Sequence, residues 1–293
     1  MRRGSALLGA ACACLLAAPA RSSAPARSST ATPAAADGRQ HLGPPVPAQV
    51  KRIVSAAPSL SEMVLALGAP QLLVGVTRFD DDPRTASLPR IGGYNDPEPE
   101  SVLALRPDLL LAQPAPQNRG PVEALSRLGV PVEAFPLQTV AQIEGALRAI
   151  GQLIGRDQAA ATLVSAIEQA RAKARVQAAT RPHPRALLVF GLDPLVVGGP
   201  AGFAGELLAD AGAVNAVADR EKPFSRLSEE VAVAAHPDVI ILCGIAPPVG
   251  RPVVRGLESV RVATLRGTAL LHPGPRIPEA LSDLAFALAP AAQ

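Results

Sequence analysis

Two glutamates begin the same short pattern at two distant places in the chain. The stretch ESVLALRPDLLLA starts at Glu100 and the stretch EVAVAAHPDVIIL starts at Glu230; in each, a Pro-Asp pair follows seven residues later and opens an apolar run. A carboxylate so placed can form charge-assisted hydrogen bonds with a basic pocket of a partner protein. Two copies suit docking onto a symmetric homodimer, which offers the same basic pocket twice. Because the helix dipole favours acidic residues at helix N-termini, simple helix stabilisation is the alternative.

Aromatic residues are scarce, since the chain has six Phe, one Tyr and no Trp. Four of them lie at the ends of predicted strands, in a glycine-rich loop or just before a helix: Phe79, Tyr94, Phe190 and Phe224. Open α/β sheets bind their ligands outside the carboxyl ends of the strands, which is where these residues fall. The pattern therefore predicts an apolar ligand-binding site. Phe190 alternatively belongs to the core.

Other site chemistries have little support in the sequence. The four histidines are widely scattered: His41, His183, His236 and His272. The contiguous Asp80–Asp82 run does not alternate its carboxylates as metal loops do, and no Ser-His-Asp elbow is present. The sequence thus predicts no metal site, no catalytic residues and no enzyme. The net charge of +3, with several arginines near the N-terminus, leaves no basic stripe for nucleic acid.

The N-terminus has the pattern of a targeting segment. Residues 1–20 begin with a basic pair, continue with an apolar stretch and end on small residues, as in a signal peptide. Cys12 offers an alternative as a lipoprotein anchor, although Gly9 stands where a lipobox prefers Leu. Residues 21–49 are rich in Ser, Ala and Pro and predict a flexible tether. We therefore expect a periplasmic or otherwise extracytoplasmic protein after signal-peptide cleavage.

The remaining chain alternates strands and helices in two halves. We predict an N-terminal α/β lobe at 50–156, a long helix at 157–179 and a C-terminal α/β lobe at 180–293. Near-continuous apolar strands predict parallel-rich sheets covered on both faces. Ser59 with Glu62, and Thr139 with Gln142, have the spacing of helix capping boxes. The predicted fold class is α/β, with two Rossmann-like lobes joined by one long α-helix.

Longer stretches resemble a known family. RIVSAAPSLSEMVLALGAPQLLVGVTRFDDDP and LPRIGGYNDPEPESVLALRPDLLLA, followed later by LLADAGAVN and SEEVAVAAHPDVIIL, are similar to class III periplasmic substrate-binding proteins of the cobalamin and iron-chelate group. The resemblance covers nearly all of residues 51–290. It implies a monomer with two lobes joined by a helix, no resident cofactor, and delivery of a ligand to a homodimeric ABC permease. It also implies that Glu100 and Glu230 are the docking glutamates, which engage arginines of that permease.

Within the family, SAAPSLSE and GVTRFDDDP most resemble the cobalamin branch. This similarity implies a corrinoid ligand and places Phe79, Tyr94 and Phe224 at positions of cleft aromatics. Gln113 departs from the branch, which can carry a Trp there. Haem or a ferric siderophore is the alternative ligand, and Tyr94 is the one Tyr available to bind haem iron. A cell-envelope interaction protein without transport activity is the alternative of a different class.

Overall fold

The computed structural model describes residues 38–217, 219 and 221–289. The predicted signal peptide, Cys12 and the predicted tether up to residue 37 lie outside the described residues. Among the described residues, no helix is both long enough and apolar enough to cross a lipid bilayer. The helices are α1 (Pro58–Ala66), α2 (Pro99–Ala104), α3 (Arg119–Arg127), α4 (Val140–Leu153), α5 (Asp157–Ala178), α6 (Phe203–Asp210), α7 (Glu229–Ala234) and α8 (Ile277–Leu288).

Apart from its first strand, the first sheet forms from short, mostly apolar runs that are buried. Its strands are β1 (Gln40–Leu42), β2 (Ile53–Ser55), β3 (Leu73–Gly75), β4 (Leu109–Ala112) and β5 (Val132–Ala134), in the spatial order β1-β5-β4-β2-β3. All neighbours are parallel except β1, which runs antiparallel to β5. Leu109 and Leu111 pack in one apolar cluster and Leu110 in another, because alternate residues of a strand face opposite sides.

Strand β1 lies within the segment predicted to be a flexible tether. The tether was expected to run through residue 49, but Gln40–Leu42 pairs with β5. Glu133 of β5 is 2% exposed and accepts hydrogen bonds from Arg39 Nε at 2.6 Å and from His41 Nδ1 at 2.9 Å. A buried carboxylate needs such partners. The end of the predicted tether is therefore part of the first lobe.

The second sheet lies beyond α5. Its strands are β6 (Arg185–Leu192), β7 (Leu195–Gly198), β8 (Val214–Asn215), β9 (Phe224–Arg226), β10 (Val239–Leu242) and β11 (Arg261–Thr264). The order is β11-β10-β6-β7-β9, with β8 beside β6. The pairs around β10 are parallel, whereas β7 is antiparallel to both of its neighbours. The sheet is thus parallel-rich, and the predicted two-lobe α/β fold class is confirmed.

Helix α5 is built into the core. Ala160, Val164 and Ile167 are buried in an apolar cluster that also contains residues of both sheets. Toward the end of the helix, Arg171 and Arg175 each donate through Nε to Asp210 of α6, at 2.5 and 2.6 Å. Because apolar packing and paired charges hold α5 along its length, it is a stiff connection between the lobes.

The two predicted capping boxes have different outcomes. The box of α4 is confirmed: Thr139 Oγ1 accepts from the Gln142 backbone N–H, and Gln142 Oε1 accepts from the Thr139 backbone N–H, both at 3.2 Å. The box of α1 is wrong, because α1 begins at Pro58 and has no side-chain cap. Glu62 instead contacts residues that precede α8, in the other lobe.

Candidate ligand-binding cleft

A cavity of about 630 Å³ opens between loops of the two lobes. The loops after β3, β4 and β5 and the start of α1 line one side. The start of α6, the residues before β9 and the segment before α8 line the other side. Parallel strands bring their carboxyl ends to one edge of a sheet, and that edge is the usual ligand-binding position in open α/β folds. The volume is within the range of about 300–1,000 Å³ found for small-molecule sites.

Three of the four predicted aromatic residues line this cleft. Phe79 is 55% exposed, Phe224 is 45% exposed and Tyr94 is partly buried. Burial raises the pKa of the Tyr94 hydroxyl above its ordinary value. Large apolar rings facing an open cavity lose unfavourable contact with water when a ligand covers them. The cleft is therefore suited to a large apolar surface.

Phe190 supports the cleft from behind. It does not line the cavity, but its ring meets that of Phe224 edge to face, with centroids 5.1 Å apart and an interplanar angle of 85°. This edge-to-face arrangement is a favoured geometry for aromatic pairs. Phe203, which sequence reasoning missed, does line the cleft. Its backbone N–H donates to the Gln138 carbonyl at 2.7 Å, so α6 is fixed to the loop after β5.

Three amide side chains are part of the cleft lining: Asn95, Gln113 and Gln138. Behind them the buried Asn118 donates through Nδ2 to the carbonyls of Tyr94 and Gln113, at 3.0 and 2.9 Å. A buried amide bonded to two loops restricts the movement of both. The Tyr94 and Gln113 loops are therefore held in place before any ligand arrives.

The charged groups in the cleft are paired. Apart from His272, the charged side chains in the described lining are Arg78 and Asp96. Arg78 Nη2 lies 2.8 Å from both carboxylate oxygens of Asp96, and the Arg78 guanidinium is also 5.0 Å from the centre of the Phe79 ring. Both side chains are well exposed, so the pair contributes little stability. Because Asp96 pairs with Arg78, the described lining offers a ligand no unpaired guanidinium.

Glu62 connects the lobes beside the cleft. Arg276 donates to it through Nε and Nη2 at 3.1 and 3.0 Å, and His272 Nδ1 lies 2.7 Å from Glu62 Oε1. Burial raises the pKa of Glu62, but the hydrogen bonds from His272 and Arg276 outweigh this effect, so the net pKa is lowered. Glu62 is thus a carboxylate at neutral pH, and it joins α1 to the segment before α8.

Glu100 and Glu230 are outside the cleft lining, on the short helices α2 and α7. Each is in the first turn of its helix and exposed. The Glu100 side chain makes no hydrogen bond or ion pair with another described residue. At Glu230 a hydrogen bond with Ser228 lowers the pKa of the carboxyl group. Neither side chain takes part in an ion pair with another described residue. Both carboxylates are therefore available to a partner.

The described part of the chain contains no group of three or more His, Cys, Asp or Glu residues that could hold a metal ion. Cys243 is fully buried, and desolvation raises the pKa of its thiol to about 12. A thiol with that pKa is neither an effective nucleophile nor a metal ligand at neutral pH.

A model of the family described as periplasmic binding protein matches residues 53–245. The chain belongs to the periplasmic binding protein family. Within it, the chain is a class III substrate-binding protein of the vitamin B12 and iron-chelate branch. Of the strands and helices named above, the matched region contains every strand except β1 and β11 and every helix except α8. Proteins of this family bind substrates for transport and do not catalyse reactions.

Individual relatives agree with this placement. Over 196 residues the chain is 29% identical to the vitamin B12-binding protein of Salmonella typhi, covering 67% of this chain and 73% of that protein. The crystal structure of the periplasmic vitamin B12-binding protein BtuF of Vibrio cholerae has the same fold, with a TM-score of 0.71 and 24% identity over 82% of this chain and 96% of that one. A periplasmic haem-binding protein from Pseudomonas aeruginosa has a TM-score of 0.70 and 29% identity, over 83% of this chain and 94% of that one. The protein is a periplasmic solute-binding protein.

Proposed function

We propose that the protein captures cobalamin, a corrinoid, in the cleft and delivers it to an ABC importer. The observation that carries the proposal is the chemistry of the lining, which is apolar and amide-rich, with its exposed cation already paired. A corrin ring is a large flat surface with neutral amide side chains around its edge. Phe79, Tyr94 and Phe224 offer surface for the ring, and Asn95 and Gln138 offer hydrogen bonds for the amides.

Haem is the second candidate, and two observations favour it. Tyr94, a possible iron ligand, lines the cleft, and one of the structural relatives is a haem-binding protein at 29% identity. Haem, however, carries two propionates, and desolvating a carboxylate without a cation is unfavourable. Arg78 is the described cation in the lining besides His272, and Asp96 neutralises it. This charge balance favours the neutral corrinoid.

Delivery requires a docking surface, for which we propose Glu100 and Glu230. They are exposed, lie away from the cleft and occupy corresponding helix starts in the two lobes. A homodimeric permease presents each of its surfaces twice about a two-fold axis. One carboxylate from each lobe therefore suits one arginine from each permease subunit, with charge complementarity guiding the encounter.

Titration of the purified chain by calorimetry tests the ligand. We expect one cyanocobalamin to bind per chain with nanomolar to micromolar affinity. Haemin and a ferric siderophore, titrated in the same buffer, should bind more weakly. If haemin or the siderophore binds tightly and the corrinoid does not bind, the ligand is haem or the siderophore and not cobalamin. Failure of all three to bind would favour a cell-envelope interaction protein without transport activity.

A further inference from the structure

The His272 ring has one nitrogen engaged and one available. Its Nδ1 atom is 2.7 Å from Glu62 Oε1, and this is the one hydrogen bond that the ring makes with a described residue. His272 lines the cleft, and its side chain retains about a fifth of its full exposure, 21%. Nε2, the other ring nitrogen, is therefore the one left for a ligand.

The carboxylate of Glu62 decides which nitrogen carries the proton. A neutral imidazole has one N–H donor and one lone-pair acceptor. Since a carboxylate accepts hydrogen bonds, the N–H of His272 belongs on Nδ1 and the lone pair on Nε2. Arg276 supports this arrangement, because its Nη2 donates to the same oxygen at 3.0 Å and its Nε to the other oxygen at 3.1 Å.

An imidazole bonded in this way to a carboxylate is the usual form of a histidine that ligates a metal. The carboxylate fixes the orientation and the tautomer of the ring. His41 has the same kind of partner, with Nδ1 at 2.9 Å from Glu133 Oε1, but it does not line the cleft. In the described part of the chain, His272 alone combines a carboxylate partner with a place in the cleft lining.

We propose that Nε2 of His272 ligates the cobalt of the bound corrinoid. This inference rests on the proposed function, and it requires a corrinoid with an exchangeable axial ligand, such as aquocobalamin. The Co–O bond to water breaks, water leaves to solvent and a Co–N bond to Nε2 forms; cobalt remains Co(III) and no proton is transferred. One protein ligand suffices, because the corrin ring supplies the equatorial nitrogens.

The consequence is selection among corrinoids by their axial ligand. Aquocobalamin exchanges its water readily, whereas cyanide holds its position on cobalt. Aquocobalamin should therefore bind the protein at least about tenfold more tightly than cyanocobalamin. Tenfold is the smallest loss of metal affinity usually seen when a group that holds a metal ligand is removed. In His272→Gln the two corrinoids should bind equally well, since the amide can still donate to Glu62 but is a poor ligand for cobalt.

Absorbance spectroscopy on the full chain tests the proposal. Adding the unaltered protein to aquocobalamin should shift the intense near-ultraviolet band to the position given by free imidazole. The shift should disappear in His272→Gln and persist in His41→Gln, the matched control. An unchanged shift in His272→Gln would overturn the proposal.

The unaltered protein provides a test that does not depend on the folding of a variant. If it binds cyanocobalamin, but binds aquocobalamin no more tightly and without a spectral shift, His272 is not a cobalt ligand and the proposed function stands. If it binds neither corrinoid, both the proposed function and this inference fail.

Discussion

Asp108 and Asp238 make the same contacts in the two lobes. Asp108 Oδ2 accepts from the backbone N–H of Arg52 at 3.0 Å, and the Asp108 backbone N–H donates to the Arg52 carbonyl at 2.9 Å. Asp238 repeats both contacts with Arg185, at 2.7 and 2.8 Å. The aspartate of each Pro-Asp pair thus fixes the neighbouring strand at its start.

The two arginines also fix the ends of the helices α2 and α7. Arg52 Nη2 donates to the Leu105 carbonyl at 2.7 Å, and Arg185 Nη2 donates to the Ala235 carbonyl at 2.8 Å. Carbonyls at a helix end have no partner within the helix and need one outside it. Since both helices are held alike, the glutamates in their first turns occupy equivalent places in the two lobes.

This equivalence leads to a prediction for transport. Glu100→Arg and Glu230→Arg should each impair uptake through the cognate permease, and to a similar degree, because each places like charges together. Loss of a buried charge-assisted contact at the permease costs on the order of 2–5 kcal/mol. The alanine variants should be impaired less than the arginine variants. Uptake assays in cells that carry the cognate permease measure the effect.

The docking variants should leave the protein itself intact. Both glutamates are exposed and lie outside the cleft lining, so cobalamin affinity and thermal stability should be nearly unchanged. Glu168→Arg, a charge reversal on the exposed face of α5, serves as the control and should transport normally. Normal uptake by Glu230→Arg would show that the repeated glutamates only stabilise their helices.

Aromatic truncation should separate ligand binding from stability. Phe79→Ala, Tyr94→Ala and Phe224→Ala should each weaken cobalamin binding by roughly 1–3 kcal/mol, because each removes an anchor from a mostly preformed cleft. Phe135→Ala is the contrast, since that ring is 2% exposed and outside the cleft lining. It should reduce the free energy of unfolding by about 3–5 kcal/mol. Unchanged affinity in all three cleft variants would place the ligand elsewhere.

Local signals predicted the elements that carry the site. Apolar runs identify the central strands. The position of Phe79 after a strand, and that of Phe224 just before a predicted helix, predicted two cleft aromatics. The Thr139 capping box was visible because both of its residues lie within one helical turn. Strand β1 gave no such signal, because Gln40–Leu42 is short and mostly polar. Its pairing depends on Glu133, which lies more than 90 residues away in the sequence.

Truncation tests the role of β1. Deleting residues 1–37 should leave the unfolding temperature unchanged, because Arg39, His41 and β1 remain. Deleting residues 1–42 removes β1, which pairs with β5, and both hydrogen-bond partners of Glu133. This deletion should lower the free energy of unfolding, which a denaturant titration would detect. If the two truncated chains are equally stable, β1 does not stabilise the lobe and the tether extends to residue 49 as the sequence predicted.

Glu62 shows the limit of reading side chains from spacing. Ser59 and Glu62 have the separation of a capping box, but Pro58 at the start of α1 and the partners of Glu62 decide otherwise. Those partners, His272 and Arg276, lie 210 and 214 residues further along the chain. A contact across that separation depends on how the lobes pack, which no local pattern encodes.

The Glu62 contact predicts a pH effect on stability. Because the pKa of Glu62 is lower in the folded protein than its ordinary value of 4.5, its carboxylate stabilises the fold above that pH. The contribution is lost as the pH falls through the lower, folded value. Glu62→Gln should therefore unfold at a lower temperature than the unaltered protein near pH 7, and the difference should shrink below about pH 4.5. Glu168→Gln should show no such trend; a difference for Glu62→Gln that is independent of pH would contradict the assignment.

The cleft should select a neutral corrinoid over haem with its two propionates, and direct competition tests this selectivity. The purified chain is loaded with cyanocobalamin, an equal concentration of haemin is added, and the retained corrinoid is measured after rapid gel filtration. Because Asp96 neutralises Arg78, we expect cyanocobalamin to remain bound and haemin to elute free. Displacement of cyanocobalamin by equimolar haemin would contradict the account.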